Sequence, residues 1–141
     1  MLLIGIDFDG TIVEHEYPRI GREIPFAIET LKKMQTDLQC RLILWTVREG
    51  ALLDEAVEYC KAKGLEFYAV NSNYIEEEQG SEPRKLKVDL FVDDRNLGGL
   101  PDWGVIYQMV ASGNHLRPIP SDSYTDIVPP KKGLFASLFS K

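Results

Sequence analysis

Leu2-Leu3-Ile4-Gly5-Ile6, followed at once by Asp7-Phe8-Asp9-Gly10-Thr11, is an apolar run that stops on a pair of acids. A short continuous apolar run suits a strand buried on both faces. At a strand end, residues i and i+2 point to the same side. The carboxylates of Asp7 and Asp9 are therefore expected to share one space while Phe8 packs the other way. Gly10 lets the chain turn with its backbone close to a ligand.

Outward from that strand, strands and helices alternate. Residues 25–35 form an expected helix, with Ile28, Leu31 and Met34 at helical spacing and Pro25 allowed in its first turn. CRLILWT (40–46) is a second buried strand. A helix over 50–63 carries Leu52, Leu53, Ala56, Val57 and Cys60 on one face and stops at Gly64. LEFYAV (65–70) and DLFVD (89–93) give two more strands, and 102–111 a last helix with Asp102 as N-cap and Gly113 as terminator. This order implies an α/β fold: a doubly wound, Rossmann-like parallel sheet flanked by helices. Ligands of such sheets collect outside the carboxyl ends of the strands. The polar residues at those ends are Asp7 and Asp9, Thr46 and Arg48, Asn71 and Asn73, and Asp93 and Asp94. Four acids on one rim repel one another unless a cation sits among them.

Composition excludes several classes. With 141 residues, 16 Lys+Arg against 22 Asp+Glu and a net charge of −6, the chain suits one soluble domain. It does not suit a duplex nucleic-acid binder, which needs basic residues to neutralise phosphates. The charge is uneven: residues 115–141 carry +2 and residues 1–114 carry −8. No apolar run approaches the length of a membrane span. The opening residues lack a signal peptide's basic region. Cys40 and Cys60 fit core positions rather than a disulfide framework or zinc site. The expected setting is cytoplasmic.

A lone D-x-D is weak, because calcium loops and glycosyl transferases also use it. Ile12 and Val13 break the alternating acids of a calcium loop, and the chain is too short for a sugar-nucleotide-binding domain. Three later signals sharpen it. Thr46 ends the second strand with a hydroxyl that can donate to an anionic oxygen. Lys85 precedes the fourth strand with a fixed positive charge, and Asp93 and Asp94 leave that strand as hard oxygen ligands for Mg²⁺. In the order D-x-D-G-T, T, K, DD, residues 2–110 resemble the haloacid dehalogenase (HAD) superfamily of phosphohydrolases.

That resemblance implies a Mg²⁺-dependent phosphomonoester hydrolase. Asp7 would be the nucleophile that forms an aspartyl-phosphate, and Asp9 the general acid and base. Thr46, with backbone N–H groups around Asp9 and Gly10, would hold phosphoryl oxygens, and Lys85 would offset charge. Gly10, Thr11 and Arg48 are candidate substrate-binding residues, with Arg48 equally suited to a salt bridge with a neighbouring acid. Mg²⁺ would be held by Asp7, the Asp9 carbonyl, Asp93 and Asp94. Lys87 competes with Lys85, and either Asp93 or Asp94 can be the direct ligand.

Members of the superfamily usually carry a cap domain. Here 34 residues separate Thr11 from Thr46 and 38 separate Thr46 from Lys85, and both intervals are filled by the expected elements. An HAD-like catalytic domain over 1–114 without a cap leaves the site open. His15, Glu16, Tyr17, Arg19, Asn73 and Tyr74 are candidate lid residues, and a phosphorylated substrate is the expected partner. The acidic run 76–78 is read as a solvated loop or helix end. In the tail over 115–141, Leu134, Phe135, Leu138 and Phe139 form a short amphipathic segment. It favours packing on its own domain or on a second copy over a membrane surface. Two rivals remain. A receiver domain needs its phosphorylated Asp on a middle strand, where this chain ends its strands in Thr and Asn. A non-catalytic Mg²⁺- and phosphate-binding regulatory module on the same fold is the alternative function.

Overall fold

The computed structural model describes residues 1–75, 77 and 85–117. In chain order the described residues form β1 (Leu3–Ile6), α1 (Ala27–Thr36), β2 (Arg41–Leu44), α2 (Gly50–Ala62), β3 (Ala69–Val70), β4 (Leu90–Val92) and α3 (Trp103–Ala111). The sheet order is β3-β2-β1-β4 and every neighbouring pair is parallel. The expected α/β architecture is therefore present. The chain winds from β1 through β2 to β3, then returns across the sheet and lays β4 on the other side of β1.

The direction of winding explains where the cores sit. Right-handed crossovers place connections on opposite faces of a sheet according to the direction travelled. Strand residues alternate accordingly. Ile4, Ile6, Leu42, Leu44 and Val92 join a large cluster with Leu31 and Met34 of α1, Ala56 and Cys60 of α2, and Ile106 and Val110 of α3. The intervening Ile43 and Ala69 join Leu86 on the other face, with Trp45, Tyr68, Val88 and Phe91 packed around them. The described helices thus gather on one face. The returning segment, through Leu86 and Val88, covers the other. Gly5 belongs to that second face, where a Cβ would lie only 3.0 Å from Phe91 Cδ1, so the aromatic ring crosses β1 because Gly5 has no side chain.

Most elements are trimmed by one or two residues at an end, and two departures have a structural cause. Helix α1 starts two residues after Pro25, because Pro25 and Phe26 form a turn and Phe26 takes a left-handed conformation at φ 66°. Strand β3 is shorter than residues 65–70: Leu65 and Phe67 are drawn into the helical core, and only Ala69 and Val70 pair with β2. Helix α3 begins as expected, with the Asp102 carboxylate accepting from Val105 N at 3.0 Å. Both cysteines are free and buried, and burial pushes the Cys60 thiol up to about 12.

Among the described residues the intervals before and after Thr46 hold no further domain, and no helix is long and apolar enough to cross a membrane. The amphipathic segment and most of the tail (118–141) lie outside the described residues, as do 76 and 78 of the acidic run.

Candidate functional site

Strand register brings the acids together. Ile6 stands beside Leu44 on one side and Val92 on the other. The Asp7 N–H donates to the Val92 carbonyl at 3.0 Å, so Asp7 leaves the sheet alongside Asp93. Strand order reverses between β1 and β4, which is the crevice where doubly wound sheets bind ligands. There Asp7, Asp93 and Asp94 each offer a carboxylate oxygen, and these atoms lie within 4.8 Å of one another.

The turn after β1 braces this cluster. Buried Thr11 donates its hydroxyl to Asp7 Oδ2 at 2.9 Å and accepts from the Asp94 N–H at 3.0 Å. One hydroxyl thereby ties the two strand exits together. The Trp103 indole donates to the Thr11 carbonyl at 3.2 Å, anchoring α3 to the same turn. Gly10 has φ 92°, and a Cβ there would sit 2.6 Å from Asp94 Cγ. Gly10→Ala is thus expected to cost about 2 kcal/mol of stability from backbone strain alone. It should also displace Asp94. Denaturant midpoints measure the first effect, and a comparison of Tm with and without added Mg²⁺ measures the second.

Thr11 and Gly10 therefore depart from the substrate-binding role expected of them. The Thr11 hydroxyl is engaged on both sides, and the Gly10 N–H donates to the Val13 carbonyl at 2.7 Å. Their task is to hold Asp7 and Asp94 in register.

Burial pushes the Asp7 carboxyl from 3.8 up to about 7. The charges of Asp93 and Asp94 act the same way, and the hydrogen bond from Thr11 opposes them. A folded state that binds a proton more tightly than the unfolded chain loses stability as pH rises between those two values. Without divalent cation, then, the protein should weaken between about pH 4 and pH 7. Asp7→Asn should remove that loss and stabilise the metal-free protein at pH 8 by roughly 2 kcal/mol, after allowance for solvent screening. Urea unfolding in EDTA at pH 5 and pH 8 measures both. No gain at pH 8 would show that Asp7 is not strained by its neighbours.

A cation fits the cluster. Asp94 Oδ1 is buried and accepts no hydrogen bond among the described residues, an expensive state for a carboxylate oxygen. Three clustered carboxylates, one of which keeps a buried oxygen without a partner among the described residues, match the preferences of Mg²⁺. Asp93 Oδ1, by contrast, already accepts from the Arg95 N–H at 2.8 Å.

Asp9 does not join the three acids. It is 5% exposed, and both of its oxygens accept from Arg48, Oδ2 from Nε and Oδ1 from Nη2, each at 2.7 Å. Arg48 is itself 0% exposed and also donates to the carbonyls of Pro18 at 3.0 Å and Arg19 at 2.9 Å. Its guanidinium lies over the rings of Phe8 and Tyr17. Arg48 thus makes the salt bridge and not the substrate contact, since no face of it reaches solvent. The expectation that the Asp7 and Asp9 side chains share one space fails for the same reason: a guanidinium from the β2 exit captures the second acid.

Thr46 is half-buried at the exit of β2. Its N–H donates to Asn71 Oδ1 at 2.8 Å, and its hydroxyl oxygen accepts from the Arg48 N–H at 3.2 Å, which leaves the hydroxyl hydrogen free to donate. Asn71, left-handed at φ 49°, also donates to the Arg48 carbonyl and so fastens the β2 and β3 exits together. Its place at a strand end was visible in the sequence, but its clamping role was not.

Lys85 is not brought to the acids. It is exposed, with its ammonium 5.8 Å from the centre of the Phe91 ring, and neither it nor Lys87 makes an ion pair among the described residues. Lys85 thus stands over Phe91, two residues before Asp93 in the chain. Of the candidate lid residues, Tyr17 and Arg19 belong to the loop that Arg48 clamps, and exposed Arg19 pairs with Glu16 at 3.7 Å. His15 Nε2 lies 3.4 Å from the Arg95 guanidinium, linking the β1 and β4 exits. Asn73 is tied to Glu77 and to the Lys87 N–H, leaving exposed Tyr74 as the rim residue of that loop.

No protein-family model matches the chain and no curated protein does. Among solved structures, a conserved protein from Bacteroides thetaiotaomicron is 56% identical, with 99% of this chain and 98% of that one covered and a TM-score of 0.74. The chain belongs to the family of that conserved protein. Identity at this level over essentially both chains gives the two a common fold, and the name of the relative carries no activity.

Proposed function

We propose that this chain is a HAD-type phosphohydrolase that uses Mg²⁺ and cleaves phosphomonoesters through Asp7. The observation that carries the proposal is the three-acid cluster at the β1/β4 switch point, with Asp7 braced by Thr11 and Asp94 holding a buried oxygen without a partner among the described residues. Asp7, Asp93 and Asp94 would hold the cation, joined by the Asp9 carbonyl. When bound, Mg²⁺ supplies positive charge that keeps Asp7 ionised and draws a phosphoryl oxygen into the site. An Asp7 oxygen attacks phosphorus and the bond to the leaving oxygen breaks, giving an aspartyl-phosphate. Water then attacks that phosphorus, the bond to Asp7 breaks, and phosphate departs. The Thr46 hydroxyl donates to a phosphoryl oxygen in both steps. Lys85 would have to move toward the acids to contribute its charge.

Among the described residues no further domain covers the site, so the rim formed by the four strand exits would meet the rest of the substrate. A cytoplasmic location suits two buried thiols. The test is hydrolysis of 4-nitrophenyl phosphate with Mg²⁺ and with EDTA, in wild type and Asp7→Asn. The capture of Asp9 by Arg48 favours a second reading, a Mg²⁺- and phosphate-binding regulatory module. Mg²⁺ binding without turnover of any phosphoester would select it.

A further inference from the structure

The Arg48–Asp9 ion pair limits which substrates the proposed phosphohydrolase can take, and this limit rests on that proposed function. A guanidinium has five N–H donors. Four of those of Arg48 are engaged, two on Asp9 and one each on the carbonyls of Pro18 and Arg19. Swinging Asp9 toward a leaving group would strand a 0%-exposed guanidinium among Phe8, Tyr17 and two carbonyls. Among the described residues the other acids of the cluster have roles in that reaction: Asp7 as the attacking group, and Asp93 and Asp94 as cation ligands. His15 is directed elsewhere, with its Nε2 against the Arg95 guanidinium at 3.4 Å.

From this geometry we infer that the site acts on phosphate compounds whose leaving group departs unprotonated: aryl phosphates, acyl phosphates and phosphoanhydrides. Alkyl phosphomonoesters are poor substrates. In the first step the Asp7 oxygen forms its bond to phosphorus while the leaving oxygen takes the electron pair of the broken bond and departs as phenolate, carboxylate or phosphate. In the second step water adds to phosphorus, the Asp7 carboxylate leaves, and the proton of that water passes to solvent. Arg48 is a positioning residue that keeps Asp9 out of the reaction space.

The test uses wild-type protein with Mg²⁺ and a series of substituted phenyl phosphates running from 4-nitrophenyl to phenyl phosphate, with acetyl phosphate and ethyl phosphate added. A working general acid is worth about 10²–10⁴-fold, and most where the leaving group is poor. Without one, kcat/KM is expected to fall at least about 100-fold from 4-nitrophenyl to phenyl phosphate. Acetyl phosphate should be turned over and ethyl phosphate not, and kcat/KM for 4-nitrophenyl phosphate should be the same in H₂O and D₂O. A kcat/KM that changes less than about threefold along the series, with ethyl phosphate turned over, would overturn the inference and leave the phosphohydrolase standing. No hydrolysis of any member, acetyl phosphate included, would remove the phosphohydrolase and this inference with it.

Discussion

Replacing Arg48 with methionine is expected to lower the unfolding free energy by about 3–5 kcal/mol, the usual loss when one partner of a buried ion pair is removed. Asp9 would be left 5% exposed with both oxygens unsatisfied, and the Pro18 and Arg19 carbonyls would lose their donor. Methionine keeps much of the stem volume against Phe8, so the loss reports the polar interactions rather than a cavity. Guanidinium chloride unfolding measures it, as a shift in midpoint at unchanged slope. The double variant Arg48→Met, Asp9→Leu should recover much of the loss, because removing both charges is far cheaper than orphaning one. A single variant within about 1 kcal/mol of wild type would mean that the pair is not buried in solution.

Asp7→Asn is expected to abolish turnover of 4-nitrophenyl phosphate, by at least about 10³-fold in kcat/KM, since an amide cannot form the aspartyl-phosphate. The fold should persist. Asparagine has the same shape, and its carbonyl can still accept from the Thr11 hydroxyl. An inactive variant that is more stable than wild type in EDTA at pH 8 would separate loss of the nucleophile from loss of structure. Adding Mg²⁺ should raise the Tm of wild type more than that of the variant, because one of the three clustered carboxylates has lost its charge. Activity surviving in Asp7→Asn would place the chemistry elsewhere in the chain.

Much of the fold was legible because strand and helix signals are local. The runs around Ile4, Ile43 and Phe91 suited buried strands. Leu31 and Met34 marked the inner face of α1, and the Asp102 cap marked the start of α3. Parallel pairing then followed from alternation, and the carboxyl-end rule pointed to Asp7, Asp9, Asp93 and Asp94, of which Asp9 turns away to Arg48. The left-handed Phe26 was not legible, because Pro25 suits a turn as well as the first turn of a helix and a bulky residue is not expected at positive φ. Nor was the shortness of β3. Leu65 and Phe67 have the composition of a strand, and the helical core takes them instead.

By itself, the sequence determined that the acids leaving β1 and β4 would share one end of a parallel sheet. A strand's exit is a backbone property, set by where the apolar run stops. Only the tertiary structure decided which acids meet. Asp9 and Arg48 lie 39 residues apart and pair because the β2 exit folds a long, flexible side chain beneath the first loop, where two carbonyls complete its hydrogen bonds. Lys85 shows the converse: its ammonium rests over Phe91, away from the cluster that its place in the motif order implied. Side chains with several rotatable bonds go to whichever partner the assembled surroundings leave available, and spacing along the chain does not encode that choice.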